Sequence, residues 1–282
     1  MLRITFYNIH MKLIVRVPGS CGEFVQGMLN DSPFLITCPI NLFTTVTISD
    51  KFSGQINLGW KSKLMLKRTM EYIGLKKFNF GISLESELSH GKGMASSSAD
   101  IAAVGKAVAL ALGEDLKTFE IAELATSIEP TDGIFYDGVV AMNPVSGKVL
   151  RRFSPVPEYK IAIFDFGGKV NTLSFQRRSN LHLMNLPTTF DVNLATTSAL
   201  ANQNIIHKDN LRETIHFAKS LGALGVNVAH TGTVIGVIFS EDADFIEVER
   251  RAAIIASEFS HIKFITTAKL ISGGFDVIYN ER

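Results

Sequence analysis

The stretch His90-Gly91-Lys92-Gly93-Met94-Ala95-Ser96-Ser97-Ser98-Ala99-Asp100 constrains this chain more than any other. Its two glycines free the backbone to turn with positive φ. Three hydroxyls follow, and behind them Ile101, Val104, Val108 and Leu112 recur at helical spacing among alanines. A glycine loop feeding a helix start gathers unpaired N–H groups at the positive end of the helix dipole, which suits a phosphate. A Ser N-cap after a glycine turn is the plainer reading of the same residues. The run is not a Walker A loop, because Lys92 precedes the second glycine instead of a Ser or Thr. Nor is it a dinucleotide fingerprint, since Ser96 stands at the third glycine position.

The surrounding pattern favours the phosphate reading. Phe78 to Leu84 is strand-like and leads into the loop, so strand, loop and helix follow in order. Upstream, Met11 to Val17 reads as a strand broken by Pro18-Gly19-Ser20-Cys21-Gly22-Glu23 and resumed over 24–27. Further strands are expected at Pro33 to Cys38 and Asn41 to Ser49, and a helix within Asn57 to Gly74. Downstream, Leu116 to Ser127 reads as an amphipathic helix, Gly138 to Met142 as a buried strand and Lys160 to Phe166 as another. Helices are expected up to Leu221, then a hairpin over Val226 to Phe239, a helix at Phe245 to Ser257 and closing strands over Lys263 to Tyr279. Strands and helices interleave without strict βαβ alternation, so the class is α+β. Ser154-Pro155-Val156-Pro157 punctuates the pattern and is the expected seam between a domain at 1–153 and one at 154–282.

Composition narrows the function. A net charge of +1 gives no reason to expect nucleic acid as a partner. No apolar run reaches the roughly 18 residues of a membrane span. The start lacks the basic and apolar regions of a signal peptide, and Met11 stands as an alternative start. Cys21 and Cys38 form neither a disulfide framework nor a zinc pattern, and a cytoplasmic location is expected.

The loop resembles the phosphate loop of the GHMP kinases, whose pattern is roughly P-x-x-G-x-G-x-x-S-S-A. Gly91, Gly93, Ser96 and Ser97 match; Ser98 stands where Ala is usual, and the leading Pro is missing. Two further motifs fall in family order: Pro18-Gly19-Ser20-Cys21-Gly22-Glu23 resembles the first, and Val228-Ala229-His230-Thr231-Gly232-Thr233-Val234 the third, with one glycine where several are common. Within that superfamily, Pro18 to Gly27, Pro39-Ile40-Asn41-Leu42, Lys92-Gly93-Met94-Ala95-Ser96-Ser97 and Glu129-Pro130-Thr131-Asp132-Gly133 are similar to the family that phosphorylates L-threonine in adenosylcobalamin synthesis. The resemblance implies a two-domain GHMP kinase fold, with an N-terminal domain like the second domain of ribosomal protein S5 and a ferredoxin-like C-terminal α/β sandwich. It also implies ATP and Mg²⁺, an amino-acid acceptor and room for a homodimer. Homoserine kinase is the runner-up activity, and a nucleotide-binding regulator without turnover the alternative from another class.

Carried onto this chain, the resemblance assigns Gly91, Lys92, Gly93, Met94, Ala95, Ser96, Ser97 and Ser98 to the ATP phosphates. Ser97 and Glu129 are assigned to Mg²⁺, and Glu23, Asp132, Thr231 and Gly232 to the acceptor. Asp132 is either the general base for the acceptor hydroxyl or the Asp of a Thr-Asp-Gly turn. Glu23 either binds the acceptor's ammonium or is a solvated loop carboxylate. Lys92 reaches a phosphate or faces water. Arg177 and Arg178 are candidates for clamping a carboxylate, with surface placement as the alternative. His230 either touches substrate or is structural.

Overall fold

The structure is a computed structural model and describes residues 11–167 and 186–281. Arg177 and Arg178 lie outside the described residues.

Long alternating and β-branched runs give two long antiparallel strands, β1 (Met11–Leu29) and β2 (Ser32–Ser49). Leu13, Val15 and Val17 are buried alternately along β1, as period two requires, and from Val17 to Val25 every residue is buried. The Pro18–Glu23 segment therefore does not break the strand, as its sequence suggests. Pairing with β2 carries through it, with irregularities in the register between Pro18 and Gly19, Ser20 and Glu23, and Glu23 and Val25. Such bulges bend a strand and re-aim its side chains.

Next come β3 (Gln55–Ile56), helix α1 (Trp60–Ile73), β4 (Gly81–Ser86), α2 (Ser96–Ala111) and α3 (Thr118–Thr126). A 3-10 turn at Gly133–Phe135 precedes β5 (Val139–Met142) and β6 (Val149–Phe153). Then follow β7 (Lys160–Asp165), α4 (Val192–Asn202), α5 (Leu211–Ser220), β8 (Gly225–Val228) and β9 (Val234–Phe239). The chain closes with α6 (Phe245–Glu258), β10 (Lys263–Lys269) and β11 (Asp276–Glu281). The eleven strands of the described residues join in one sheet of order β10-β7-β9-β8-β1-β2-β4-β3, with β11 on β1 and the β5–β6 pair on β2. The α+β class expected from the sequence holds. No described helix is long and apolar enough to cross a membrane.

Helix α2 is apolar around most of its circumference, with Ile101, Val104, Val108 and the alanines Ala99, Ala102, Ala103, Ala107 and Ala109 fully buried. A helix of that composition belongs inside. Its small residues allow close approach: a Cβ on Gly105 would collide with Met65 of α1. A second apolar cluster, around Phe164, Val226, Ile235 and Val248, lies among β7, β8, β9 and α6. Glu23 of β1 pairs with Val228 of β8, which brings the first and third motifs together.

Candidate active site

β4 delivers the chain to the glycine loop, which runs through three left-handed residues: Gly91 (φ 71°), Gly93 (φ 87°) and Ala95 (φ 54°). The first two suit glycine. Ala95 is a non-glycine residue in that region, a strain that the surroundings must impose. Those surroundings hold the loop by its carbonyls. Met94 C=O accepts from Ser20 N (3.0 Å), Gly93 C=O from Gly22 N (3.2 Å), and Lys92 C=O from Thr233 N (2.9 Å) and Val234 N (3.1 Å). The first and third motifs thus pull the loop's carbonyls into the protein.

The N-cap of α2 is Ala95 and no side chain caps it. The Ser N-cap reading is therefore overturned: Ser96 is the first helical residue, and the first intrahelical N–H donor is Ala99, to Ala95 C=O at 2.9 Å. The N–H groups of residues 96–98 are left for an anion.

The two loop glycines are not equivalent. A Cβ on Gly91 would meet nothing within 4 Å, whereas one on Gly93 would run into Ala229 and Gly232. Gly232 in turn lies against the backbone of Lys92 and Gly93, so it backs the loop from behind. Met94 is buried and can offer a ligand only its backbone. Lys92 Nζ sits 2.6 Å from Asp165 Oδ2, and Asp165 Oδ1 accepts from Thr233 Oγ1 at 2.6 Å. Burial would push the Asp165 carboxyl up, but the bonds from Lys92, Thr233 and the Gly167 N–H outweigh it and hold it below its usual range.

Glu23, aimed by the β1 bulge, is 6 % exposed. Its Oε2 accepts from His230 N (2.8 Å) and faces His230 Nδ1 (3.1 Å), while His230 Nε2 meets Ser198 Oγ at 2.9 Å. His230 is thus a buried strut behind Glu23, which settles its two readings for the structural one. One Glu23 oxygen is committed to this strut, and Oε1 is the one that can meet a ligand. Behind the third motif lies buried Lys208, whose Nζ donates to Ala229 C=O at 3.1 Å. Burial depresses this ammonium to about 8, against a smaller upward pull from Glu23.

Glu129 follows α3, with its N–H bonded to Ala125 C=O at 3.1 Å. The carboxylate is almost fully buried; Oε1 accepts from Ser97 Oγ and Oε2 pairs with Lys61 Nζ. Lys61 Nζ also donates to Ser97 Oγ at 3.1 Å. Asp132 accepts from Ser98: its Oδ2 lies 3.0 Å from Ser98 Oγ, and its own N–H reaches the same oxygen at 3.2 Å. Burial raises the Asp132 carboxyl to about 7; Glu23 and Glu129 add to this, and the Ser98 bond opposes it.

These groups surround a cavity of about 420 Å³. Gly91, Gly93 and residues 95–98 form one end, Glu129 to Asp132 and Glu23 the sides, and Thr231 contributes from the third motif. Leu35, Val145 and Ile205 supply an apolar wall. The residues fit a magnesium ion in kind: Ser97 and Glu129 offer two adjoining oxygen donors at this wall, and Mg²⁺ completes its shell with phosphate oxygens and water. Among the described residues no cluster of three or more His, Cys, Asp or Glu could cage a metal.

Two residues escaped the sequence reading. Lys61 lies in a segment read as a helix for its Leu, Met and Lys content without singling this lysine out, although lysines at 61 and 63, in the first turn of a helix, oppose the dipole and are a local signal. Thr131 lines the cavity with a buried hydroxyl that has no hydrogen-bond partner among the described residues; its place in a Pro-Thr-Asp-Gly turn disguised it.

Comparison with known proteins adds three findings. Residues 60–138 match the family model described as the GHMP kinases N-terminal domain. Over 247 residues, 80% of this chain and 82% of its relative, the chain is 27% identical to the L-threonine kinase of Salmonella typhimurium. It is 26% identical over 260 residues to the L-threonine kinase of Citrobacter freundii, covering 83% of this chain and 90% of that one. Among solved structures, a mevalonate kinase superimposes with a TM-score of 0.65 at 16% identity, covering 91% of this chain and 99% of that one. A homoserine kinase from Cytophaga hutchinsonii gives 0.63 at 16% identity, covering 99% and 100%.

Proposed function

We propose that this chain, whose residues 60–138 match the GHMP kinases N-terminal domain and whose fold is that of the solved mevalonate and homoserine kinases, is an ATP-dependent kinase that phosphorylates the hydroxyl of L-threonine. The observation that carries the proposal is the meeting, in one cavity, of an uncapped helix start behind a glycine loop with a half-buried carboxylate titrating near neutrality. The relatives named L-threonine kinase supply the choice of acceptor. On that reading O-phospho-L-threonine is the product and feeds the nucleotide loop of adenosylcobalamin.

Phosphoryl transfer asks a protein mainly for positioning and charge stabilisation. Gly91, Gly93 and the N–H groups of residues 96–98 cradle the ATP phosphates. Ser97 and Glu129 would hold Mg²⁺, which when bound would supply neutralisation of the phosphate charge. Asp132, ionised above about pH 7, accepts the proton of the threonine hydroxyl as that oxygen attacks the γ-phosphorus. ADP leaves with the β–γ bridging oxygen. Glu23 Oε1 faces the threonine ammonium, Thr231 borders the acceptor, and the wall of Leu35, Val145 and Ile205 takes the β-methyl group.

The test is ADP release with purified protein, Mg-ATP and each of threonine, serine and homoserine, with the product identified by mass spectrometry. Threonine should give the highest kcat/KM. A site that pairs each polar group of its substrate rejects analogues that leave one unsatisfied, so homoserine should be poor; serine, lacking only a methyl, should fall by roughly 10–200-fold. Faster turnover of homoserine would leave a kinase with a different acceptor, and no ADP release with any amino acid would leave a nucleotide-binding regulator.

A further inference from the structure

We infer that Lys61 is a built-in occupant of the divalent-cation position, and that a metal ion enters by exchanging with its ammonium on Ser97 and Glu129. The inference rests on Ser97 and Glu129 being the metal donors, but not on threonine being the acceptor.

The geometry is a closed triangle. Lys61 Nζ donates to Ser97 Oγ at 3.1 Å and pairs with Glu129 Oε2, while Ser97 Oγ reaches Glu129 Oε1. A cation thus already sits on both of the oxygen donors assigned to the metal. It approaches from the start of α1, with its side chain 19% exposed against 5% for Glu129.

The position of Lys61 is costly for the helix that carries it. The first turn of α1 has no acidic residue, and its N-cap, Gly59, provides no side-chain bond. A cation there faces the positive end of the dipole, so its placement is explained by Glu129, not by α1. Other lysines near the site are engaged elsewhere: Lys92 with Asp165, and Lys208 with the carbonyl of Ala229. Removing Lys61 without replacing it would leave Glu129 buried and unpaired, which is expensive. A charge must therefore be traded for a charge, and the ammonium sets how tightly the metal is held.

Trp60, the chain's one tryptophan, reports on this exchange. It is 62% exposed, and Lys61 Nζ lies 5.7 Å from its ring centroid. Nucleotide-free protein is titrated with Mn²⁺, a paramagnetic quencher, and Trp60 fluorescence is read without substrate or turnover. Lys61→Met should bind Mn²⁺ about tenfold or more tightly than wild type, tenfold being ~1.4 kcal/mol of lost competition. Lys61→Arg, which keeps the charge, should stay near wild type, and Glu129→Gln should lose the response. Equal or weaker Mn²⁺ binding by folded Lys61→Met would overturn the exchange. An unchanged response in Glu129→Gln would overturn the site itself.

Unaltered protein provides the second measurement. Amine acylation of Lys61, followed by mass spectrometry, should speed up severalfold at saturating Mg²⁺, because the displaced ammonium turns to solvent. An unchanged acylation rate would show that the metal does not move Lys61. Loss of kinase activity with threonine affects neither readout, so failure of the functional reading and failure of the exchange are told apart.

Discussion

Ser98 and Asp132 are joined twice through one oxygen: Ser98 Oγ accepts the Asp132 N–H at 3.2 Å and donates to Asp132 Oδ2 at 3.0 Å. The hydroxyl thus clamps the carboxylate beside the cavity. Stabilising the ionised form, the bond works against the burial that lifts Asp132 to about 7.

A base must be ionised to act, so kcat should fall on the acid side of about pH 7. Ser98→Ala removes a bond to the charged form and should move that limb to higher pH. Asp132→Asn should lower kcat by roughly 10²–10⁴-fold with little change in ATP affinity. The pH–rate profiles of wild type and Ser98→Ala decide the matter. Coincident profiles, with near-normal kcat in Asp132→Asn, would reduce Asp132 to a turn former.

The loop glycines should separate binding from folding. At Gly91 a Cβ points into open space, so Gly91→Ala costs only the left-handed backbone, roughly 1–2 kcal/mol, and weakens ATP binding. At Gly93 the added carbon wedges the loop away from Ala229 and Gly232, and Gly93→Ala should unfold at clearly lower temperature. Thermal melts paired with titration of an ATP analogue measure both effects. Equal Tm losses in the two variants would contradict the packing described here.

What could be read in the sequence follows from the range of each interaction. The loop and helix α2 were legible because glycine conformations and a run of Ile, Val and Ala act over a few residues. The break expected at Pro18–Glu23 did not occur, because β2 pairs across the bulges and strand partners are not local information. The Ser N-cap expectation failed for a similar reason: carbonyl bonds from Ser20, Gly22, Thr233 and Val234 set the loop, and with it the left-handed Ala95 cap. The union of Lys61 with Glu129 joins the start of α1 to the segment after α3, and only the adverse placement of a lysine in a first turn hinted at it.

Lys92 offers a direct choice between two sequence readings, since its ammonium lies 2.6 Å from Asp165 Oδ2. If the pair is structural, Lys92→Met should destabilise the protein by about 2 kcal/mol, below the 3–5 typical of deep burial, and leave ATP affinity within about twofold. Asp165 has a folded pKa held below its ordinary value. Its contribution is therefore present above the unfolded carboxylate pKa and is lost as pH falls through the folded one. The stability difference between wild type and Lys92→Met should shrink over that acidic range. A large loss of ATP affinity without loss of stability would mean that Lys92 leaves Asp165 for a phosphate.

Lys208 carries the opposite sign. Burial lowers its ammonium from 10.5 to about 8, so between those values the unfolded chain binds the proton and the folded protein does not. Stability from this group therefore rises as pH climbs from about 8 to 10.5, by roughly 3 kcal/mol at 1.36 kcal/mol per pH unit. Below pH 8 the folded state holds a buried charge that donates to the carbonyl of Ala229. Lys208→Met keeps the bulk of the side chain and removes the charge, and the Ala229 carbonyl retains the Gly232 N–H at 3.5 Å. The variant should be more stable than wild type at pH 7, and the difference should close as pH approaches 10.5. Denaturant midpoints at pH 7, 9 and 10.5 measure it. A variant less stable than wild type at pH 7 would show that the bond to Ala229 outweighs the desolvation, and that Lys208 anchors the third motif.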